Sequence, residues 1–395
     1  MSDARRVAVA LHIDEPYPHH QNVLAGIQAY AREHPGWEVV IDEHPGYAAR
    51  GEHGYDGVIA RAGPVLQRRL KKRGIPLVNT WYQHARADLP GVYLDAARAG
   101  RLAADHLLER GFQRLAVFAP AGYRLAGKTA RGFVSRAEEK GRACRLDEFE
   151  LGSIRDRQYW LALRKRLQRF LDELTPPTGV FVIIDWVARI LVTLCQNRGW
   201  HVPQDISLIC EYDVHGVVDL PPQISSLDCN YERMGHEAAG LLDRIMAGQP
   251  LPEWPILIPP KAMIARESTD FLAVEDEVVA DALRYISENL AAPIRLEQIA
   301  GAVAVSPRSL QRRFKAVLGR PVSDEIRRLR VTMAQRLLAE KEMQVAEIAR
   351  ATGFSSPAIL YQVFQRELGM PPGAYREQIL GQRGSLGSGL NCCTF

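Results

Sequence analysis

Three aspartates stand at the ends of apolar runs, where side chains able to grip a small molecule would collect. Asp95 follows VYL, Asp185 closes GVFVII with Trp186 beside it, and Asp213 follows SLICEY. The loop after the first apolar run, DEPYPHHQN, adds Asp14, His20 and Asn22. A carboxylate accepts two hydroxyl hydrogens at once and an indole offers a flat apolar face. The set therefore suits a polyol held by bidentate hydrogen bonds. A single strand-end aspartate serves equally well as the cap of the next helix. Three converging on one cleft favour a ligand.

A second pattern points elsewhere. Gly122 to Thr129, GYRLAGKT, satisfies G-x4-G-K-[ST] and follows an apolar run. Such a loop can cradle phosphates on backbone amides, with Lys128 on the outer oxygens and Thr129 on magnesium, so a nucleotide-binding ATPase is the alternative function. No residue set for activating water accompanies it. A polar loop that binds a small substrate, such as a phosphorylated sugar, accounts for the same residues. No nucleophile elbow or acid–base pair appears, so an enzyme is not expected, nor a cofactor. His12, Asp14, His19 and His20 hint at a metal, but adjacent histidines on one loop seldom reach one ion, and no second ligand cluster has metal spacing. The six cysteines lack metal spacing too. Cys195 and Cys210 sit in apolar stretches and read as reduced core residues.

The C-terminal quarter repeats itself. LEQIAGAVAVSPRSLQRRFKAVLGRP begins at Leu296, and VAEIARATGFSSPAILYQVFQRELGMP begins at Val345. Ile299 and Ala300 match Ile348 and Ala349, and Ala304 matches Gly353. After one extra residue in the second turn, Ser306, Leu310, Phe314, Gly319 and Pro321 match Ser356, Leu360, Phe364, Gly369 and Pro371. Each copy reads as a helix-turn-helix, and two copies form a paired DNA-reading module. A joining helix is expected from Ser323 to Leu338, with Ile326, Leu329, Met333 and Leu337 facing inward. Net charge is only +4 over 395 residues, so any DNA-binding charge must be local. It is: nine Lys or Arg lie between Arg308 and Arg336 (Arg308, Arg312, Arg313, Lys315, Arg320, Arg327, Arg328, Arg330, Arg336), against Asp324 and Glu325. That cluster is the footprint of phosphate neutralisation.

Strands and helices alternate through the larger N-terminal region, predicting a parallel doubly wound α/β architecture with ligand chemistry at strand carboxyl ends. Expected strands are Arg6–Ile13, Trp37–Ile41, Gly57–Ala60, Pro76–Asn79, Val92–Leu94, Arg114–Ala119, Gly179–Ile184, Ser207–Cys210 and Ile256–Ile258. Between them lie helical patterns at Val23–Glu33, Ala97–Glu109, Arg131–Lys140, Tyr159–Leu174, Val187–Arg198 and Glu232–Ala247. The chain enters its first strand with no apolar signal segment, and no run is long enough to span a bilayer. A cytoplasmic protein is expected, without membrane contact. The tail at 381–395 is Gly/Ser-rich and reads as flexible, with Cys392 and Cys393 exposed to oxidation.

From about Glu275 to Gln378 the repeat resembles the DNA-binding domain of AraC/XylS-type activators, most specifically in IARATGFSS, Val363-Phe364 and LGMPPGAYR. In that family two recognition helices enter successive major grooves of double-stranded DNA. The resemblance places Arg308, Gln311 and Arg312 at the groove in the first unit, Ala358, Tyr361 and Gln362 in the second, and Lys315 on a phosphate.

Residues 5–270 resemble the effector domain of LacI/GalR repressors, a type I periplasmic-binding-protein fold of two lobes around a sugar cleft. The carrying phrases are GVYLDAARAGRLAADHLLERGFQRLAVFAP, GVFVIIDWVARILVTLCQNRGWHVPQDISLICEYD, LPPQISSLDCNYERMGHEAAGLLDRIMAG and ARESTD. The resemblance puts Asp14, His20, Asp95, Lys128, Arg131, Asp185, Trp186 and Asp213 at the cleft. That family's cleft arginine, three residues before a Gly-aromatic pair, is Thr129 here, with Lys128 and Arg131 flanking it. Its DNA-binding headpiece, which precedes the effector domain, is replaced by the C-terminal module at 271–380. The whole arrangement resembles the xylose-operon activators. It implies a homodimer that binds a pentose-like sugar, activates catabolic genes and engages RNA polymerase.

Overall fold

The computed structural model describes residues 5–13, 18–47, 54–153, 155–214, 216–251, 255–274, 276–340 and 343–377. Asp14, the 381–395 tail with Cys392 and Cys393, and the side chain of Arg336 lie outside the described residues. The chain divides into two units, residues 1–273 and 274–395.

In the first unit, β1 (Arg5–Ala10), β2 (Trp37–Ile41), β3 (Gly57–Ala60) and β4 (Leu77–Asn79) form a parallel sheet in the order β2-β1-β3-β4. A single bridge, Asn79 to Gly91, continues it toward β5 (Val92–Leu94), which pairs in parallel with β11 (Ile256–Ile258). Helices α1 (Pro18–Glu33), α2 (Pro64–Arg73) and α7 (Tyr231–Met246) belong to this lobe. The second lobe is a six-stranded sheet of β6 (Arg114–Pro120), β7 (Ala143–Phe149), β8 (Thr178–Val182), β9 (Ile206–Cys210), β10 (Ser225–Asp228) and β12 (Ala262–Ile264), ordered β12-β10-β9-β8-β6-β7. It carries α3 (Ala96–Glu109), α4 (Arg124–Glu139), α5 (Arg157–Asp172) and α6 (Asp185–Asn197).

The central strands read as unbroken apolar runs because helices cover both faces. Val7, Val9 and Ile59 meet Val23, Ile27 and Leu242 in one lobe, and Phe118, Val180 and Leu208 meet Phe170 and Leu191 in the other. Each such side chain stabilises the fold by roughly 1.5–3 kcal/mol. In each lobe one helix pair crosses at backbone distance through two glycines. A Cβ on Gly26 of α1 would lie 1.8 Å from the Glu232 carbonyl oxygen, and one on Gly235 of α7 would lie 1.9 Å from that of Val23. Gly100 of α3 and Gly132 of α4 repeat the arrangement, at 1.9 Å from Thr129 O and 2.2 Å from Ala97 O.

The chain passes between lobes three times, after β5, after β10 and after β11. Asp95 N donates to Ile258 O at 2.8 Å and Lys261 N to Asp228 O at 2.7 Å, lacing the three passages together.

Four elements were not expected: α2, β7, β10 and β12. In β7 the alternation is masked, because Asp147 faces inward while Leu146 is exposed. That inward carboxylate is held by Arg166 and Arg145. β10 and β12 are short and partly polar, and their mutual pairing is antiparallel. Helix α4 starts at Arg124 rather than Arg131, a difference that decides the phosphate-loop question below.

The second unit contains α8 (Glu277–Glu288), α9 (Leu296–Ala302), α10 (Pro307–Leu318), α11 (Val322–Glu340), α12 (Val345–Ala351) and α13 (Pro357–Leu368). Both halves of the repeat use one set of local devices. Ser306 and Ser356 cap α10 and α13 by accepting from Ser309 N and Ile359 N, each followed by proline. Gly319 and Gly369 end those helices in the left-handed conformation, at φ 70 and 71. The turns also demand positive φ, 54 at Ala304 and 76 at Gly353. Only glycine fits the second, because a Cβ there would lie 2.5 Å from Leu290 O. On α11, Leu329 and Leu337 are buried while Ile326 and Met333 are half-buried, and Val322, Val331, Ala334 and Leu338 widen the buried face.

Candidate effector site and DNA-reading surface

A cavity of about 330 Å³ lies between the lobes of the first unit, at the carboxyl ends of the parallel strands. Arg61 reaches it from the end of β3, and Thr80, Trp81 and Tyr82 from the end of β4. Tyr123 and Leu125 come from the start of α4, and Tyr212 follows β9. The Arg61 guanidinium lies over the Trp81 ring, 5.0 Å from its centroid, and meets Nε2 of His20. On its other side His20 Nδ1 is 3.0 Å from the His12 carbonyl oxygen. A carbonyl can only accept, so Nδ1 carries the hydrogen and Nε2 receives the arginine's. His19 stacks on Tyr212 at 5.0 Å, and burial, then His20 and Arg61, push its imidazole well below the usual histidine range.

Asn79 holds this wall in place. Its Oδ1 accepts from Ala62 N and Trp81 N, both at 3.0 Å, and its Nδ2 donates to Tyr93 Oη and Trp81 O, both at 3.1 Å. Burial pushes the Tyr93 hydroxyl up to about 12. The Thr80 hydroxyl is buried at the cavity with no hydrogen-bond partner among the described residues. A polar ligand would satisfy it.

The residues expected at the cleft divide. His20 lines the cavity; Asp95, Asp185 and Asp213 are not in its wall. Asp95 caps α3 by accepting from Arg98 N at 3.1 Å, which is the capping role open to any strand-end aspartate. Asp213 pairs with Arg266 and accepts from the Ser226 hydroxyl, each at 2.7 Å. Asp185 begins α6 next to the cavity residues Ile183 and Ile184. Burial, with a smaller contribution from Asp213, pushes its carboxyl up to about 6. Trp186 packs on the second lobe's core. Lys128 and Arg131 line a neighbouring pocket of about 410 Å³, which shares Tyr82, Pro120 and Tyr123 with the cavity. The Lys128 ammonium lies 4.9 Å from the Tyr82 ring centroid.

The phosphate-loop reading is corrected by α4. Gly127, Lys128 and Thr129 are inside the helix, and Gly127 N donates to Tyr123 O at 2.8 Å, so that amide cannot cradle a phosphate. Thr129 is fully buried and donates to Glu211 Oε1 at 2.8 Å. Sequence reasoning missed Arg61, Asn79, Trp81 and Tyr212. Their signal was their place just past strands β3, β4 and β9, or at the end of one, the same rule that selected the aspartates.

In the second unit, Arg308, Gln311, Arg312 and Lys315 of α10 are exposed on one face, as are Ala358, Tyr361 and Gln362 of α13. The cluster of cations is narrower than its count suggested. Arg313 pairs with Asp276, Arg327 with Asp324, and Arg320 and Arg328 both with the buried Glu325. Arg330 donates to Leu290 O and Ala292 O. Among the described cations of the cluster, only Arg308, Arg312 and Lys315 are exposed.

Residues 104–269 match the periplasmic binding protein-like domain family and residues 299–378 the helix-turn-helix domain family. The chain is 27% identical over 390 residues to the xylose operon regulatory protein of Escherichia coli K12, covering 94% of this chain and 97% of that one. It is 25% identical to the protein of the same name from Haemophilus influenzae, over 94% and 98% of the two chains. A solved structure of a xylose-binding transcription activator superposes with a TM-score of 0.71 at 25% identity, covering 95% of this chain and 99% of that one.

The chain is a DNA-binding transcription regulator, and its C-terminal module is similar to that of AraC-like regulators. Its effector domain is LacI-like, with the two-lobed periplasmic-binding-protein fold, and the regulator carries its DNA-reading module after that domain. These relatives are regulatory proteins, and the ATPase alternative finds no support among them. No helix among the described residues is long and apolar enough to cross a membrane.

Proposed function

We propose that residues 5–270 sense a pentose-sized sugar in the inter-lobe cavity and that 271–380 convey the signal to DNA, as an activator of sugar-catabolism genes. The cavity carries this reading: about 330 Å³ at strand ends, with a tryptophan face, tyrosine hydroxyls and the Thr80 hydroxyl, in a chain resembling xylose regulators along its length. In this reading His20, Arg61 and Trp81 of the cavity wall hold the sugar, Lys128 and Arg131 of the adjoining pocket tune its selectivity, and Asp185, next to the cavity residues Ile183 and Ile184, adds a hydroxyl partner. The sugar favours one lobe arrangement by binding it more tightly, and within a cytoplasmic homodimer that arrangement presents the DNA-reading helices to their half-sites and to RNA polymerase.

A thermal-shift screen of the full chain with D-xylose, other pentoses, hexoses, sugar phosphates and ATP tests the reading. A stabilising pentose supports it, because only a ligand that prefers the native state raises the melting temperature. A response to ATP alone, or to no sugar, overturns it. A sugar phosphate is the second reading, favoured by Arg124, Lys128 and Arg131 around the adjoining pocket, and the same screen separates the two.

A further inference from the structure

The two reading helices of the DNA module share a backbone plan and differ in chemistry position by position. With Ser306 set on Ser356 and Leu310 on Leu360, Arg308 corresponds to Ala358, Ser309 to Ile359, Gln311 to Tyr361, Arg312 to Gln362 and Lys315 to Gln365. Every cation on the exposed face of α10 is thus replaced by an uncharged residue on α13. In their place α13 exposes two large apolar side chains, Ile359 at 40% and Tyr361 at 43%. An isoleucine and a tyrosine held in water on one turn of a helix gain free energy only when something covers them. The occupant is set by the repeat: Tyr361 shares with Ala358 and Gln362 the face of α13 that matches Arg308, Gln311 and Arg312 of α10, and Ile359 flanks that face in the helix's first turn.

We propose that α13 reads thymine through its C5-methyl groups, with Ile359 and Tyr361 as the apolar contacts and Gln362 pairing with a neighbouring adenine. The major groove offers one apolar group, the thymine methyl, while guanine presents O6 and N7 to arginine and adenine presents N6 and N7 to an amide. Helix α10, with Arg308 and Arg312, reads a guanine-containing half-site and supplies the phosphate attraction through Lys315. Helix α13 reads an A·T-rich half-site about one helical turn away and contributes little to the salt dependence. The regulator's operator is therefore asymmetric within each protomer's footprint.

The test starts from a random-duplex selection on the full chain, with and without D-xylose, to obtain a bound sequence and locate its two half-sites by footprinting. Each thymine is then replaced by deoxyuridine, which removes the C5 methyl and nothing else. In the half-site lacking guanine contacts, each critical replacement is expected to weaken binding about fourfold, the transfer free energy of one buried methyl. In the other half-site it is expected to change nothing. Ile359→Ser and Tyr361→Gln, which copy α10 at these exposed positions, are expected to weaken the thymine duplex and lose the deoxyuridine effect while binding the deoxyuridine duplex as the parent does. Equal affinity for thymine and deoxyuridine duplexes overturns the proposal. So does a variant that binds the operator normally but fails to activate transcription, which would assign the apolar face to a protein partner.

Discussion

The Thr129 hydroxyl donates to Oε1 of Glu211 at 2.8 Å, in an interior where neither residue is accessible to solvent. Glu211 Oε2 finds no hydrogen-bond partner among the described residues. Burial is the main cause that pushes this carboxyl up from 4.5 to about 7, and the Thr129 hydrogen bond opposes it. The folded state therefore holds a proton that the unfolded chain releases above about 4.5.

A pH dependence follows. The folded value is the raised one, so the stabilising contribution is complete below about 4.5 and is lost as pH rises to about 7. The slope is at most about 1.36 kcal/mol per pH unit. Glu211→Gln resembles the protonated acid, keeps an acceptor for Thr129 and has nothing to titrate. Melting temperatures measured from pH 5 to pH 8 are expected to fall more steeply for the parent than for Glu211→Gln. Parallel curves would exclude a proton on Glu211.

The nucleotide reading and the cleft reading part at Lys128. Because Gly127 and Thr129 have helical and buried partners, calorimetry with ATP is expected to show no saturable binding to the parent chain. Lys128→Ala is expected to alter the response to sugar, through the pocket it shares with Tyr82 and Tyr123. Saturable ATP binding that vanishes in Lys128→Ala would restore the phosphate loop.

Asp213 and Trp81 separate stability from affinity. Asp213 neutralises Arg266, whose side chain is 13% exposed. Asp213→Ala leaves that guanidinium short of an acceptor, at a cost of about 1–3 kcal/mol and roughly 2–4 °C of melting temperature per kcal/mol. Trp81→Ala removes a half-buried aromatic face from the cavity and is expected to weaken sugar binding about tenfold, or ~1.4 kcal/mol, with a smaller stability change. The reverse pattern would move the sugar site toward Asp213.

The effector fold was legible wherever strands are apolar on both faces, as in AVALHI or GVFVII, because such runs have few alternative structures. It was obscured in β7, where Asp147 points inward and Leu146 outward, and in α4, where a phosphate-loop pattern hid the first turn of a helix. The cleft was legible as a place more than as a list of residues. Strand ends are where the cavity lies, but aspartate was favoured over the arginine, tryptophan and tyrosine that line it. Asp95 illustrates why: one carboxylate suits a helix cap and a sugar hydroxyl equally, and only its position relative to Arg98 N decides. The DNA module was the most legible part, because its repeat states the caps, turns and buried positions twice. Its charge was not. Arg313, Arg320, Arg327 and Arg328 look like phosphate ligands in sequence, yet each has a carboxylate partner.

That narrowing sharpens the prediction for the first reading helix. Arg312 is exposed, has a matching Gln362 in the second unit, and lies one turn from Arg308 on the same face. Arg312→Ala is expected to cost about 1–3 kcal/mol of DNA affinity and to relax base preference in one half-site only, as loss of a bidentate guanine contact does. Lys315→Ala, one turn-step further along, is expected to weaken all duplexes alike and to reduce the slope of log affinity against log salt by about 0.9, one phosphate's worth of counterion release. Arg328→Ala serves as the contrast. Its guanidinium is paired with the buried Glu325 at 2.8 Å, so its loss is expected to lower the melting temperature with little change in the salt slope. Selection of bound sequences and salt titrations on the three variants measure these outcomes together. A base-preference profile of Arg312→Ala indistinguishable from the parent's would show that Arg312 merely solvates its helix.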